Sequence, residues 1–262
     1  MKTNGIITLL TDFGDLDGYV GSMTGAILSI NPNATIVNIS HHIERHNIEA
    51  AAFVLSTYFH YYPEGTVHVA VVDPVVGSDR KAIAVKANKQ LFIAPDNGLL
   101  SYILCNTNKW QAFEITNKEL FLPNVSQTFH GRDLFAPVAA HLASGIEIDR
   151  VGSKYFQPQQ FQLYLPKKDD SSIEGVVLYI DVFGNIITSI PADWLSAISF
   201  RLQIGKSIIT TLSNSYSAGQ KGELIALAGS SGLVEIAVNQ GHAGASTGLQ
   251  KGDRISISLT ND

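Results

Sequence analysis

The spacing of apolar residues divides the first part of the chain into alternating strands and helices. Runs such as GIITLL and GTVHVAVVD are continuously apolar and rich in β-branched residues, as strands buried on both faces are. Between them lie stretches whose apolar residues recur every three or four positions. Strands are predicted at 5–10, 34–40, 65–73, 81–87 and 90–96, and helices at 22–30, 47–62, from 98 and at 134–145. This alternation predicts a layered α/β domain with a mostly parallel sheet.

The pattern changes near residue 165. A polar, turn-rich segment, PKKDDSS (166–172), is predicted to be a linker. Short strands separated by Gly, Asn and Ser follow at 174–181, 184–190, 200–205, 207–212, 224–229, 233–239 and 254–259. Such spacing is typical of an all-β barrel or sandwich. We therefore predict an N-terminal α/β domain, residues 1–165, and a C-terminal barrel-like β domain, residues 173–262.

Composition narrows the class of protein. The 262 residues carry a net charge of −5, which gives no basic surface for nucleic acid. No apolar run approaches the roughly 20 residues of a membrane helix, and the first residues lack the features of a signal peptide. Cys105 is the only cysteine, so no internal disulfide forms, and a buried structural role is expected for it. A cytoplasmic protein that binds neither nucleic acid nor membrane is predicted.

Polar clusters stand where apolar elements end. Asp12 and Asp17 follow the first strand, and Asp73 ends a buried strand with Arg80 seven residues later. His130 precedes a predicted helix. Ligands bind at the carboxyl ends of strands in α/β sheets, so an Asp, an Arg and a His there could together hold a water molecule. Each residue also has a plainer use, as a helix cap, a turn residue, a surface ion pair or a core histidine. Spacing alone does not bring them together.

Six motifs in order along the chain carry a family resemblance. They are TDFG (11–14), VVDPVVGSDR (71–80), IAPDNGLL (93–100), TFHGRD (128–133), DVFGNIITSI (181–190) and SSGLVEIAVNQG (230–241). Together they resemble the S-adenosylmethionine (SAM) hydroxide adenosyltransferases, which are adenosine-forming SAM hydrolases related to fluorinase and chlorinase. The resemblance implies an α/β domain followed by a barrel-like domain. It also implies a homotrimer, with SAM bound between the N-terminal domain of one subunit and the C-terminal domain of its neighbour.

The resemblance also implies roles for individual residues. Asp73, Arg80 and His130 match the group that positions and activates water, and they are the predicted catalytic residues. The predicted substrate-binding residues are Asp12 for the ribose, Asp17 near the methionine end, Phe129 and Phe183 for apolar contact, Asp181 for the ammonium group, Ser230 for the carboxylate, and Asn185 with Val238 to Gln240 for adenine. SAM is the substrate, so no cofactor and no metal is implied.

Differences from the halogenases indicate hydrolysis. At the positions of Asp73 and His130 the halogenases carry tyrosine, and a carboxylate there would repel a desolvated halide. The expected reaction is in-line attack of water or hydroxide on ribose C5′, giving adenosine and L-methionine. Either Asp73 or His130 could be the base. At His46 and Ser231 the chain also departs from the fluorinase, so contacts there are not carried over.

Two other functions fit the sequence. A SAM- or adenosine-binding sensor would use the same pocket without turnover. A metal-dependent phosphomonoesterase would use Asp12, Asp15 and Asp17 as ligands for a divalent cation.

Overall fold

The computed structural model describes residues 1–107, 109–196 and 198–260. The chain divides into two compact units, Met1–Gln162 and Leu163–Asp262. The first is an α/β unit and the second is built almost entirely from strands. The predicted fold class is thereby confirmed.

The first unit is built on a seven-stranded mixed sheet. Its strands are β1 (Ile6–Thr11), β2 (Thr35–Ser40), β3 (Val67–Val71), β4 (Ala82–Ala87), β5 (Gln90–Pro95), β6 (Trp110–Glu114) and β7 (Lys154–Tyr155). They are ordered β2-β1-β3-β5-β4-β6-β7. The pairs β1–β2, β1–β3 and β3–β5 are parallel, and β4–β5, β4–β6 and β6–β7 are antiparallel. Half of the sheet is thus parallel, and it includes β1 and β3, whose ends carry predicted site residues.

A tight turn explains why β5 runs antiparallel to β4. Only Asn88 and Lys89 connect β4 to β5, and both have positive φ, 50° and 61°. Two consecutive residues of that kind form a type I′ turn, whose twist matches an antiparallel hairpin. A parallel connection would need a crossover of a dozen or more residues. The sequence contains this signal in KANKQ, although the strand pattern alone does not specify the pairing direction.

Helices cover both faces of this sheet. They are α1 (Tyr19–Ile30), α2 (Ile48–Tyr58), α3 (Ser101–Cys105) and α4 (Ala136–Ala143). Ile7 and Leu9 of β1 share one buried cluster with residues of α1 and α4. Thr8, on the opposite face, lies 3.4 Å from the hydroxyl of Tyr58 in α2. Alternate side chains of β1 therefore contact helices on opposite faces of the sheet.

Helix starts differ in detail from the prediction. α1 begins at Tyr19 rather than Ser22, and its N-cap residue is Gly18, with no side-chain cap. The helix-cap alternative for Asp12 and Asp17 is therefore wrong. α2 starts as expected because Asn47 Oδ1 accepts a hydrogen bond from Ala50 N at 3.0 Å. It is shorter than predicted and continues as a 3₁₀ turn, Phe59–Tyr61.

The second unit contains a nine-stranded sheet that nearly closes into a barrel. Its elements are β8 (Lys167–Lys168), β9 (Ser172–Ile180), β10 (Ile186–Pro191), β11 (Phe200–Ile204), β12 (Ser207–Ile209), β13 (Leu212–Ser213), β14 (Leu224–Ala228), β15 (Leu233–Val238), β16 (Arg254–Leu259) and the helix α5 (Ala243–Thr247). The main path is β12-β11-β16-β9-β10-β15-β14-β13, and β12 near one end also contacts β14. The segment 166–172 is not simply a linker, since β8 pairs with β9.

Two further expectations differ from the structure. Cys105 is exposed rather than buried, and its Sγ donates a hydrogen bond to Gln160 Oε1 at 3.1 Å. The reason is its position as the last residue of the short helix α3. The predicted strand 207–212 is divided into β12 and β13, which pair with different neighbours. Within the described residues, no helix combines the length and apolar character needed to cross a bilayer.

His68, in the middle of β3, is a buried polar group whose hydrogen bonds define its state. Nε2 lies 3.0 Å from Gln90 Oε1, and Nδ1 lies 2.8 Å from Thr8 Oγ1. The Gln90 amide nitrogen donates to the carbonyl groups of Phe59 and Tyr62, so its oxygen accepts from His68. Burial lowers the pKa of His68 from 6.5 to about 4, so the ring is neutral at neutral pH.

We predict that His68 makes the protein less stable in acid. Below pH 6.5 the unfolded chain takes up a proton that the folded chain refuses until pH is near 4. The free energy of unfolding should therefore fall by about 3 kcal/mol across that range because of this residue. Urea denaturation at several pH values, compared with His68→Leu, measures it. An identical pH dependence in both proteins would contradict the prediction.

Candidate active site

The candidate site is built at the carboxyl end of β3. β3 ends at Val71, and Asp73 follows after one further residue, Val72. Pro74 comes next and has no N–H group to donate to a neighbouring strand. Asn97, just beyond β5, donates from Nδ2 to the Val72 carbonyl oxygen at 2.9 Å. Two neighbouring strand ends therefore fix the backbone that carries the Asp73 carboxylate.

Arg80 connects the other two predicted catalytic residues, Asp73 and His130. Its Nε and one terminal nitrogen donate to Asp73 Oδ2 at 2.8 and 2.5 Å, and that terminal nitrogen lies 2.7 Å from His130 Nδ1. The side chains of Arg80 and Asp73 are only 7% and 4% exposed. Asp73 Oδ1 is also buried, and it has no hydrogen-bond partner among the described residues. One carboxylate oxygen is thus engaged, and the other is buried without a hydrogen-bond partner among the described residues.

The contact with Arg80 fixes the tautomer of His130. A guanidinium group only donates hydrogen bonds, so Nδ1 must accept and the proton of the neutral ring resides on Nε2. Burial and the adjacent Arg80 charge lower the pKa of His130 from 6.5, while Asp73 and Asp133 act in the opposite direction. At neutral pH the ring therefore presents an Nε2–H donor on the side away from Arg80.

The loop that carries His130 is held by its own polar contacts. The fully buried Asp133 accepts hydrogen bonds from Ser126 N at 2.8 Å and from Arg132 Nε at 2.6 Å. Ser126 Oγ accepts from Phe129 N at 3.1 Å. His130 itself precedes a π-helical turn, Gly131–Phe135, that leads into α4.

The loop that carries Asp73 and Arg80 packs closely against this loop. Gly77, with φ of 82°, lies so near the loop that a Cβ there would be 2.3 Å from the Gln127 carbonyl oxygen. Both its conformation and its surroundings therefore require glycine. This close approach helps bring Arg80 and His130, fifty positions apart in the chain, into hydrogen-bond distance.

Asp73 and His130 line a pocket of about 360 Å³ in the first unit. Phe13, Tyr19 and Phe129 form an aromatic wall, with ring centroids 5.2–6.0 Å apart. The remaining lining residues are Asp17, Arg45, Val71, Val76, Thr128 and Gly131. Four of these pocket residues were not predicted from the sequence as site residues: Phe13, Tyr19, Arg45 and Thr128. Phe13 could have been found from its place inside the TDFG motif, but Arg45 has no comparable signal.

The acidic residues after β1 have separate environments. Asp12 Oδ2 accepts a hydrogen bond from His46 N at 2.9 Å, whereas Asp15 lies 3.5 Å from His42. Asp17 lines the pocket. No group of three His, Cys, Asp or Glu residues suited to a metal ion occurs in the described parts of the chain. The arrangement does not support the phosphomonoesterase alternative, which needs these carboxylates to converge.

The other predicted substrate-binding residues lie in the second unit. Asp181 organises the β9–β10 turn, because its Oδ1 accepts from Phe183 N at 2.9 Å and from Asn185 N at 2.8 Å. Phe183 is 73% exposed, while Asn185 is buried. Ser230 is exposed in the β14–β15 turn; Val238 ends β15, and Gln240 follows it with a φ of 54°.

Comparison with known proteins identifies the family. The model of the SAM hydroxide adenosyltransferase N-terminal domain matches residues 7–152, and that of the C-terminal domain matches residues 175–256. The chain belongs to the SAM hydroxide adenosyltransferase family. The family membership expected from the six sequence motifs is thus confirmed.

Relatives of this protein match it over nearly its whole length. The (R)-S-adenosyl-L-methionine hydrolase of Salinispora tropica is 33% identical over 254 residues, which is 96% of this chain and 97% of that protein. The protein of the same name from Methanocaldococcus jannaschii is 36% identical, covering 96% and 95%. A fluorinase from Actinopolyspora mzabensis is 26% identical, covering 96% of each chain. A crystal structure of an uncharacterized conserved protein from Thermotoga maritima superposes with a TM-score of 0.90 at 38% identity, covering 96% and 99%.

We predict that removing Arg80 destabilises the fold through Asp73. Arg80→Met leaves a buried carboxylate unpaired, which should lower the free energy of unfolding by about 3–5 kcal/mol. Adding Asp73→Asn to that variant removes the unpaired charge and should restore part of the loss. Chemical denaturation of wild type, both variants and the exposed control Arg150→Met measures this. Equal stability of the single and double variants would contradict it.

Proposed function

We propose that the protein hydrolyses SAM to adenosine and L-methionine without a metal, by in-line attack of water on ribose C5′. The observation that carries this proposal is the buried Asp73–Arg80–His130 group on the wall of a pocket. It offers one free acceptor, Asp73 Oδ1, and one donor, His130 Nε2–H. A water molecule needs both kinds of partner in order to be held in one orientation.

The same geometry supports Asp73 as the base. Nε2 of His130 carries a proton in the neutral ring, so it cannot take one from water in this state. Asp73 Oδ1 can accept that proton, while His130 Nε2–H donates to a lone pair of the water oxygen and leaves another lone pair for attack. Proton transfer during attack avoids the need for free hydroxide, which is scarce because the pKa of bulk water is near 15.7.

Hydrolysis of a sulfonium needs little else from the protein. The leaving group is a neutral thioether, so no general acid is required. The oxygen must lie about 3 Å from C5′, opposite the sulfur atom. As a partly negative oxygen approaches the sulfonium, opposite charges merge, and a dry site favours that change. The aromatic wall of Phe13, Tyr19 and Phe129 provides such surroundings.

The proposal includes the assembly expected from the resemblance. In a homotrimer, Asp12, Asp17 and Phe129 of one subunit would bind SAM together with second-unit residues of its neighbour. Leu16, Val182 and Phe183, which are 95%, 89% and 73% exposed, are apolar side chains that such contacts would cover. A solution mass of about three times the 28.3 kDa chain would support the trimer. We also propose that the protein is cytoplasmic.

Chromatography of SAM incubated with the pure protein and EDTA, with and without chloride, tests the reaction. Because relatives are named for the (R) form, both sulfonium epimers should be supplied. Equal amounts of adenosine and methionine, unaffected by chloride, are expected. A 5′-chloro product would show a halogenase instead. Loss of activity with EDTA would contradict metal independence, and intact SAM with measurable binding would favour the sensor.

We predict that Asp73→Asn lowers kcat by roughly 10²-fold or more while the Kd for SAM changes little, because the base is lost but the shape is kept. Asp79→Asn is the matched control. Asp79 is an exposed aspartate on the same loop, and its side chain is not among the pocket residues. Single-turnover kinetics and calorimetry measure the two quantities. Unchanged turnover in Asp73→Asn would remove its role as base.

We predict that the acid limb of kcat/KM lies below pH 6.5. Protonated His130 would place a donor against the donors of Arg80, and burial together with the Arg80 charge lowers the pKa of His130 from its ordinary value of 6.5. The midpoint of the acid decline in activity should therefore lie below pH 6.5. His130→Gln, which cannot titrate, should lose the part of that limb that comes from the histidine, while the part that comes from the Asp73 carboxylate stays. A limb centred at or above pH 6.5 would contradict the tautomer assignment.

A further inference from the structure

The pocket wall carries two opposite charges that are not paired with each other. Asp17 and Arg45 both line the cavity that contains Asp73 and His130. Neither forms an ion pair or a hydrogen bond with any described residue of the chain. Asp73, by contrast, is neutralised by Arg80. A small cavity with a separate free anion and free cation is suited to a ligand that itself carries both charges.

Hydrogen bonds hold the residues on both sides of Arg45, whose own side chain is exposed and has no partner among the described residues. The preceding residue, Glu44, accepts a hydrogen bond from Asn47 Nδ2 at 2.7 Å through Oε2. The following residue, His46, has a φ of 66° and donates its backbone N–H to Asp12 at 2.9 Å. A positive φ is uncommon for a residue other than glycine, and the Asp12 contact helps hold His46 in it. Asp12 thereby fixes the backbone from which the Arg45 guanidinium projects.

From these contacts we infer that Arg45 is a specificity-determining residue that binds the carboxylate of the amino-acid end of the substrate. The identity of that substrate rests on the proposed function. SAM carries a sulfonium and an ammonium group, which suit Asp17, and a single carboxylate, which suits a guanidinium. Ser230, the residue predicted for the carboxylate, is a neutral hydroxyl and supplies no charge.

A comparison of two substrates isolates this contact. Decarboxylated SAM keeps the adenosine, the sulfonium and the amine but lacks the carboxylate. Wild type should prefer SAM by at least tenfold in kcat/KM. Arg45→Gln should lose roughly tenfold to a hundredfold with SAM and change less than twofold with the decarboxylated substrate, since a hydrogen bond to a charged group is the only contact removed. Arg45→Lys should recover part of the loss.

The matched control is Arg150→Gln, an exposed arginine of the same unit that is not among the pocket residues. It should behave as wild type with both substrates. Equal loss of both substrates in Arg45→Gln, or no preference in wild type, would overturn the inference and leave the hydrolase intact. If wild type converts neither substrate, the proposed function fails. The dissociation constants for SAM and for decarboxylated SAM are then measured by calorimetry in wild type and in Arg45→Gln. Their ratio in each protein decides whether Arg45 binds the carboxylate.

Discussion

The corner of the first unit formed by Asp73, Arg80 and His130 depends on one guanidinium group. Arg80 donates to the Asp73 carboxylate and to His130 Nδ1, and both Arg80 and Asp73 are almost completely buried. Its charge compensates the carboxylate, and its donors force the imidazole to accept. The direction in which His130 presents its remaining proton therefore follows from Arg80. Without it, an unpaired carboxylate and an unspecified histidine tautomer would face the pocket.

The charge of this corner helps explain why it suits water. Asp73 and Arg80 neutralise each other, and His130 is uncharged, so the group as a whole offers no net attraction to an anion. What it offers is one free acceptor oxygen and one N–H donor. Water satisfies both, whereas a halide can only accept hydrogen bonds and would meet the free carboxylate oxygen directly.

The fold keeps these groups rigid by fixing their backbones from several directions. Asn97 binds the carbonyl group before Asp73, Asp133 binds the loop before His130, and Gly77 lets the two loops touch. None of these residues lines the pocket. Their role is to hold geometry, which the proposed in-line attack would require to within fractions of an ångström. Some glycines and polar residues of the motifs thus hold the backbone in place and do not themselves line the pocket.

The sequence by itself determined the α/β and β character of the two units, because the periods of apolar residues are local. It also identified the family, through motifs at the ends of strands. It did not determine the mixed direction of the first sheet, which follows from the conformations of Asn88 and Lys89. Nor did it show the tautomer of His130 or the exposed, unpaired state of Arg45. Those depend on contacts between residues far apart in the chain, which only the tertiary structure brings together.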